Sequence, residues 1–285
     1  MRSVFVTGAG SGLGYVTAKM LNKQGWKVYG SYIKGQDPTE LENLGIKMIE
    51  LDIADVPSVE NAFRIIDEEQ QDKGLSALIN VAGVAGVAGG VIEGVSDERI
   101  KILFDINITG TLNMCRHALP LLRKYGKGRI VNVGSSGMRT PTAFSGIYAI
   151  SKYAVEGITN ALRYEVSCFG IQATTIEPGA MDTPMSQNGE ENMRKTWEMM
   201  KPGIKELYYD KLNPALDMMN KMITNPNPPE LVAKKIVKVL NKKKMKIRYI
   251  AGKDVRFLPF MQKVLGENLF EKMILKMQKL DKPYS

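Results

Sequence analysis

Short runs of β-branched and aliphatic residues alternate along the chain with longer stretches whose apolar positions recur at helical spacing. Ser3–Thr7, Lys27–Ile33, Ile46–Asp52, Leu75–Val81, Arg129–Gly134 and Ile171–Glu177 read as strands, and Arg248–Ile250 as a weak seventh. Leu13–Gln24, Val56–Gln71 and a long stretch over residues 97–124 read as helices, as does the segment carrying Tyr148. Gly25 stops the first helix, and Pro57 sits near the first turn of the second, where a missing N–H costs nothing. The strand candidates are near-continuous apolar runs (Ser3-Val-Phe-Val6, Arg129-Ile-Val-Asn-Val133), the pattern of strands covered on both faces. Strands alternating with helices of this length predict parallel pairing through right-handed crossovers. The expected fold class is therefore α/β, a doubly wound parallel sheet of about seven strands with helices on both faces.

Residues 184–229 break the alternation. They hold Pro184, Pro202, Pro214, Pro226, Pro228 and Pro229 together with Met185, Met193, Met199, Met200, Met218, Met219 and Met222. An open α/β sheet places its ligand crevice after such a strand, so the stretch reads as an insertion of short helices. Methionine is apolar and pliable, which suits a lid over an apolar substrate and equally suits core beneath a loop-rich segment. No internal repeat or linker sets any part of the chain aside, and residues 1–285 are expected to form a single domain.

The net charge of +9 is unevenly placed. Residues 230–285 hold 15 Lys and Arg against 5 Asp and Glu, whereas the other 229 residues hold 24 against 25. This basic C-terminal segment, centred on Lys242-Lys-Lys-Met-Lys246, reads as a solvated face and is also suited to peripheral contact with an anionic membrane surface. No nucleic-acid motif or aromatic interleaving accompanies it, so no nucleic-acid partner is expected. No run reaches the ~18 apolar residues of a membrane span. The first strand candidate begins at Ser3, which leaves no room for a targeting peptide. Cys115 and Cys168 lie far apart and match no metal spacing, as for two reduced thiols in a cytoplasmic protein.

Candidate chemistry begins at Thr7-Gly-Ala-Gly-Ser-Gly-Leu-Gly14, between the first strand and the first helix. Glycines there permit a tight turn and close approach of backbone to phosphate, with free N–H groups at a helix N-terminus facing negative charge. The turn points to a bound dinucleotide. The residue that reads the adenosine ribose is expected at the end of the second strand, near Tyr32, where an acid would repel a 2′-phosphate. Ile33 and Lys34 follow, with no acid until Asp37, so Lys34 tilts the expectation to NADP over NAD.

Tyr148 and Lys152 are four apart and share a helix face. A free phenol has a pKa of about 10. A nearby ammonium, together with the positive nicotinamide of an oxidised cofactor, would favour the phenolate and is expected to lower that value, making Tyr148 a usable acid and base. Ser135, at the end of the Arg129–Gly134 strand, is placed to hydrogen-bond a carbonyl or alcohol oxygen. Tyr-x-x-x-Lys occurs three times, at Tyr15/Lys19, Tyr148/Lys152 and Tyr249/Lys253, and only the middle pair follows a strand ending in Ser at loop distance. Turn and triad together suit transfer of a hydride and a proton.

On these residues the chain resembles the short-chain dehydrogenase/reductase family with the Tyr-x-x-x-Lys site. The matches run in order through Thr7-Gly-x-x-x-Gly-x-Gly14, Asp52, Asn80-Val-Ala-Gly83, Asn107, Ser135, Tyr148/Lys152, and Pro178-Gly179 with Thr183. The resemblance implies a Rossmann-type fold and interconversion of an alcohol and its carbonyl with NADP or NAD. It implies Tyr148 as general acid/base, Lys152 bonding the nicotinamide ribose, Ser135 orienting substrate, and Asn107 holding a water in a proton relay. Cofactor contacts are implied for Gly8, Ser11, Gly12, Leu13 and Gly14, for Asp52 and Ile53 by the adenine, and for Asn80, Ala82 and Gly83 along the adenosine ribose. They are implied also for Tyr148, Lys152, Pro178 and Gly179, and for Thr183 by the carboxamide. Val81 stands where the family usually has a second Asn, and the usual Ser-Ser pair is shifted to Gly134-Ser135-Ser136. Counting three residues from Asn132, or thirteen back from Tyr148, selects Ser135, with Ser136 the fallback. Gly74–Asn80, Tyr148–Glu156 and the basic, Met-rich C-terminus are most similar to the retinol and hydroxysteroid dehydrogenase branch. That likeness implies a retinoid-, steroid- or lipid-like substrate, and a homodimer or homotetramer packed through residues 97–124 and 148–168.

Two alternatives stay open on sequence: a non-catalytic dinucleotide-binding sensor and a 3-oxoacyl-type reductase. Intact Ser135, Tyr148 and Lys152 weigh against the sensor. A hydrolase is unsupported, because His117 is the only histidine, it lies near Pro120 in an amphipathic stretch, and no Gly-x-Ser-x-Gly elbow exists. No ligand cluster supports a metal enzyme.

Overall fold

In the computed structural model the apolar runs become β1 (Ser3–Val6), β2 (Lys27–Tyr32), β3 (Lys47–Glu50), β4 (Ala77–Asn80), β5 (Arg129–Val133), β6 (Gln172–Pro178) and β7 (Arg248–Ala251). The structure describes residues 1–138, 143–184, 189–223, 226–252, 255 and 257–281; among these, positions 138, 189–190, 192–193, 213–214, 217–223 and 258–259 are described by backbone alone. The seven strands form one sheet in the order β3-β2-β1-β4-β5-β6-β7, every pair parallel. The order reverses between β1 and β4, so the C-terminal ends of those strands flank the crevice where such a sheet receives a ligand.

Side-chain alternation explains why these strands are apolar throughout. Val4 and Val6 enter one core and Phe5 the other; along β5, Val131 and Val133 separate from Ile130 in the same way. The first core is closed by α1 (Gly12–Lys23) and α9 (Pro229–Leu240), the second by α3 (Val56–Gln70), α5 (Thr111–Tyr125) and α6 (Gly146–Glu165). Asp55 caps α3 by accepting from Ser58 N at 3.0 Å, with Pro57 in its first turn as its sequence foretells.

The structure departs from the sequence reading in several places. A short α2 (Thr39–Asn43) follows β2. The long helix over 97–124 is two, α4 (Asp97–Phe104) and α5, joined by a π-helical turn at Asp105–Gly110. The insertion contains α7 (Gly189–Glu198) and α8 (Ile204–Ile223), the latter 20 residues rather than a short helix. The basic C-terminal segment supplies α9, β7 and α10 (Phe257–Met277), which bends at Gly266. β7 is weak as a sequence but is held by charge. Arg248 pairs with Glu156 on α6 and approaches Glu177 of β6 at 3.7 Å, and Glu177 is only 1% exposed. A carboxylate buried that deeply needs a cation beside it.

Candidate active site

The glycine turn is shaped by backbone. Gly8 and Gly12 have φ of 66° and 52°, the left-handed region in which a side chain is strained. The amide of Gly8 donates to Ser31 Oγ (2.9 Å), and those of Ala9 and Gly10 to Ser31 O (2.7 and 3.2 Å). A Cβ on Gly14 would sit 2.0 Å from the Gly8 carbonyl oxygen, so only glycine lets the helix start this close to the strand. Ser11 opens α1 without capping it through its side chain. The first amides of the helix are thus left for an anion, which the helix dipole also favours. Thr183 lies over the turn, its Cβ 3.4 Å from where a Cβ of Gly12 would be. Leu13 is buried in the core, so its amide and not its side chain belongs to the cradle. These residues fit the pyrophosphate of a dinucleotide.

At the end of β4, Thr7 Oγ1 accepts from the amides of Val81 (2.9 Å) and Ala82 (3.0 Å) and holds Asn80-Val-Ala-Gly83 against the turn. The Asn80 side chain points inward, donating to Asn132 Oδ1 (2.8 Å) and Cys115 Sγ (3.3 Å), while Asn132 donates to Thr159 Oγ1 (2.9 Å). Asn80 therefore ties β4, β5 and α5 together and reaches α6 through Asn132, while its Oδ1 is buried without a hydrogen-bond partner among the described residues. Burial pushes the Cys115 thiol up to about 12, so that sulfur is inert packing. Ile53 is also buried in the core, and only its backbone faces the choice of ligand. Asp52 is exposed and accepts from Ala54 N (2.9 Å). Pro178 ends β6, and Gly179 N donates to Ala251 O (2.9 Å).

Lys34 is exposed in the turn after β2. Gln36 lies nearer the cradle: its Oε1 accepts from Ile33 N (3.1 Å), its Nε2 lies 3.4 Å from Ser11 Oγ, and a Cβ on Gly10 would overlap it. Sequence reasoning passed over Gln36, Ser31 and Ser151 and gave Thr7 no role beyond its place in the motif, because each also acts through a partner distant in the chain. For Thr7 and Ser31 the signal was present: a hydroxyl at the end of each of two strands flanking the glycine turn.

Ser135, Tyr148 and Lys152 converge. Ser135 Oγ accepts from Gly137 N (3.1 Å) and is hydrogen-bonded to the Tyr148 hydroxyl, which selects it over Ser136 in the following 3-10 turn. Lys152 is 7% exposed; its Nζ donates to Val133 O (3.1 Å) and stands 5.8 Å from the Tyr148 ring centre. Two further Lys152 N–H groups are available for ribose hydroxyls. A Cβ on Gly83 would lie 3.5 Å from that Nζ and 3.0 Å from Asn107 Oδ1, so glycine keeps the passage open. Asn107 sits in the π turn, a common device for placing a functional side chain. Its Nδ2 donates to Val84 O (2.8 Å) and Ser151 Oγ (3.0 Å), and its Oδ1 accepts from Val84 N (2.8 Å). Ser151 in turn donates to Tyr148 O (2.7 Å).

Without cofactor, burial sets the balance at Tyr148 and Lys152. Burial raises the Tyr148 pKa, and the Ser135 hydrogen bond offsets this only in part. Burial also lowers Lys152 to about 8. An ammonium that is itself disfavoured by its surroundings, several ångströms from the ring, does not overcome desolvation of the phenolate. The other Tyr-x-x-x-Lys pairs serve elsewhere. Tyr15 bonds to Glu40, and Lys19 bonds to both of them (2.9 Å each) at the surface. Tyr249 accepts from Lys246 N (2.8 Å), and Lys253 lies outside the described residues. His117 Nδ1 bonds to Asn113 O (2.9 Å), and its ring stacks on Phe63.

Residues 2–194 match the short chain dehydrogenase family. A 3-ketodihydrosphingosine reductase of Bacteroides thetaiotaomicron is 33% identical over 256 residues, covering 90% of this chain and 89% of that protein. The 17-beta-hydroxysteroid dehydrogenase type 6 of Rattus norvegicus is 34% identical over 268 residues, covering 90% and 83%. Among solved structures, a short-chain dehydrogenase from Streptomyces avermitilis superposes with a TM-score of 0.75 at 23% identity, covering 99% and 98% of the two chains. An actinorhodin polyketide ketoreductase solved with NADPH gives 0.72 at 25%, covering 87% and 95%. The chain belongs to the short-chain dehydrogenase family. It is an NAD(P)-dependent oxidoreductase that interconverts an alcohol and its carbonyl.

Proposed function

We propose that the substrate is a large apolar alcohol or carbonyl, retinoid-, steroid- or lipid-like, and that NADP is preferred over NAD. The observation that carries this reading is the Ser135–Tyr148 hydrogen bond set four residues after Phe144, which belongs to a buried apolar cluster with Val91, Trp197, Met200, Ile204 and Leu216. An apolar wall beside two hydroxyls and an amine suits a molecule with one polar end. The relatives support it: one is named for a ketosphingoid base, another for a hydroxysteroid.

The Gly8–Gly14 turn would hold a nicotinamide dinucleotide, which when bound would supply or accept the hydride. Tyr148 gives its phenolic proton to the carbonyl oxygen during reduction and takes one from the hydroxyl during oxidation. Ser135 Oγ holds that same oxygen. Lys152 places positive charge beside the phenolate and anchors the ribose. The Asn107 carboxamide is fully engaged by Val84 and Ser151, so a relay water would bond to its main-chain carbonyl, which also accepts from Thr111 Oγ1 (2.8 Å). The test is a panel of retinoid, steroid, acyl-thioester and simple ketone substrates followed by cofactor absorbance, with Tyr148→Phe alongside. Turnover of an apolar substrate should fall by about 10²–10⁴ in the variant while NADPH affinity stays within about twofold. Retained turnover would refute the acid/base role, and activity only on small polar ketones would refute the substrate class.

Three further features complete this reading. The enzyme works in the cytoplasm, in keeping with two free cysteines of which Cys168 is exposed. It forms a homodimer or homotetramer through α4, α5 and α6, where Ile102, Leu112, Ile150 and Tyr153 are exposed. It touches anionic membrane through α10, where Phe257, Phe260 and Val264 are exposed before the bend at Gly266 and Lys272 and Lys276 after it, with Lys279 exposed just beyond the helix. No helix among the described residues is long and apolar enough to cross a membrane. Flotation with phosphatidylglycerol vesicles tests the last point: co-flotation should vanish when those three lysines become glutamate.

A further inference from the structure

The loop between β4 and α4 holds Gly86, Gly89, Gly90 and Gly94, and the lid helices lie directly on it. A Cβ built on Gly89 would stand 3.3 Å from Thr196 Oγ1, one on Gly90 2.7 Å from Met200 Cε, and one on Gly94 2.7 Å from Ile204 Cγ2. Thr196 lies on α7, Met200 in the turn after it and Ile204 at the start of α8, so the corner between the two lid helices rests on three glycines. Arg99 of α4 fastens the two together. Its Nε donates to Val87 O (2.6 Å) and its Nη2 to Gly89 O (3.3 Å), both within the loop, while its Nη1 reaches across to Met199 O (3.1 Å). Lys201 N donates to Gly94 O (3.0 Å), and the Tyr208 hydroxyl to Glu93 Oε2 (2.6 Å). The loop's other side faces the chemistry, since Ala88 and Val95 pack in the cluster that includes Ile147 and Tyr148.

We infer that Arg99 is a positioning residue whose guanidinium holds the lid on this glycine bed, and that the seating depth, set by Gly94 against Ile204, fixes the apolar wall of the substrate site. A partly buried guanidinium bonded to three carbonyls is a rigid fork, and it binds both walls at once. A loosened lid leaves Ser135, Tyr148 and Lys152 in place but removes the surface against which an apolar substrate packs. This goes beyond the substrate reading, because seating is measurable with no substrate present.

The chain has two tryptophans, and Trp26 lies in the α1 core under the Arg2 guanidinium, so Trp26→Phe leaves Trp197 of the lid as the only indole. In that background Arg99→Met should raise acrylamide quenching of Trp197 about threefold or more, with Arg99→Lys between. KM for the best apolar substrate should rise about tenfold, the scale of one charge-assisted hydrogen bond, with kcat and NADPH Kd within about twofold. Gly94→Ala should act in the same direction, and adding Ile204→Ala should restore quenching, since it removes the overlapping methyl. Gly94 is chosen over Gly90 because Gly90 has φ of 131°, where any side chain is strained. Unchanged quenching in Arg99→Met overturns the latch. Weakened NADPH binding in step with quenching overturns it in favour of a general structural role. Raised quenching with unchanged KM overturns the claim that the seat sets the wall.

Discussion

Between Thr7 and Gly14 the chain is held by its own backbone: three consecutive amides are satisfied by Ser31, one through its hydroxyl and two through its carbonyl, and the helix starts so close to the strand that a Cβ at Gly14 would be 2.0 Å from a carbonyl oxygen. Between 189 and 223 the lid is held by side chains reaching across from elsewhere, Arg99 to Met199 O, Glu93 to Tyr208, Phe144 against Trp197 at 4.7 Å. Both regions close on the ends of the same strands. The first admits almost no other residue at its key positions, and the second admits many. A dinucleotide needs the same cradle every time, whereas a substrate wall is the part a family can vary over a fixed sheet.

The largest effect should come from forcing a side chain into the main-chain-held region. Gly14→Val places a branched Cβ on the Gly8 carbonyl, and neither partner can turn away. We expect a loss of about 3 kcal/mol or more, read as a Tm fall of roughly 6 °C or more, with NADPH affinity reduced beyond about a hundredfold. A Tm within about 2 °C of the parent would mean the turn yields as easily as the lid.

Next in size is the pH dependence set by Lys152. Its pKa is about 8 in the fold against an ordinary 10.5, so the fold bears a buried ammonium below pH 8. Between those values the unfolded chain binds the extra proton, so stability from this group rises with pH and the penalty is gone above 10.5. Lys152→Met, measured without cofactor, should therefore be more stable than the parent at pH 6.5 by up to about 3 kcal/mol, the advantage shrinking towards pH 10. Denaturant melts at the two pH values check this. An advantage that does not depend on pH would show that the amine is not desolvated.

This contrast also explains what could be read from sequence. The glycine turn, Ser135 and Tyr148/Lys152 are short-range patterns fixed by backbone geometry, and each stands where the pattern put it. Parallel pairing in a doubly wound sheet followed from alternation and handedness. β7 was faint because its place depends on Arg248 meeting Glu156 and Glu177, which are 92 and 71 positions away. The break in the long helix left no mark because a π turn needs no glycine or proline. The upward push on Tyr148 in the protein without cofactor left no trace in the sequence, because burial is a property of the whole fold, not of an i, i+4 spacing. The glycines of the loop before α4 carry no reading in the sequence alone, because the residues they make room for, Thr196, Met200 and Ile204, lie more than a hundred positions on.

A smaller effect separates lid from core. Met200 is buried and Met199 is 48% exposed, Met185 lies outside the described residues, and the sequence fitted both readings. Trp197→Ala removes the ring between Phe144 and Tyr209 (5.2 Å). In an integral core such a change costs about 3–5 kcal/mol. In a locally opening lid the global melt should barely register it. We expect Tm within about 3 °C, an unchanged NADPH Kd, and KM raised about tenfold. A Tm fall near 10 °C would make these helices part of the core.

The smallest expected effect concerns which dinucleotide is held. Lys34 is exposed, and an exposed ammonium facing a phosphate through water is worth on the order of 0.2–1 kcal/mol, or about 1.4- to fivefold in affinity. Lys34→Glu should thus lower the ratio of NADPH to NADH affinity by about fivefold, and Lys34→Ala by about twofold, with Tm unmoved. Binding is read from nicotinamide fluorescence, so no substrate is needed. Raising the salt should shrink the difference, because an exposed charge is screened. If the parent favours NADH and Lys34→Glu leaves the ratio alone, then discrimination rests with neutral groups at the end of β2, Gln36 foremost, whose carboxamide already spans Ile33 N and Ser11 Oγ. The adenosine end of the cradle would then resemble the lid more than the turn, being held by a side chain from elsewhere, and the boundary between the two regions would fall at Ser11 rather than at Thr183.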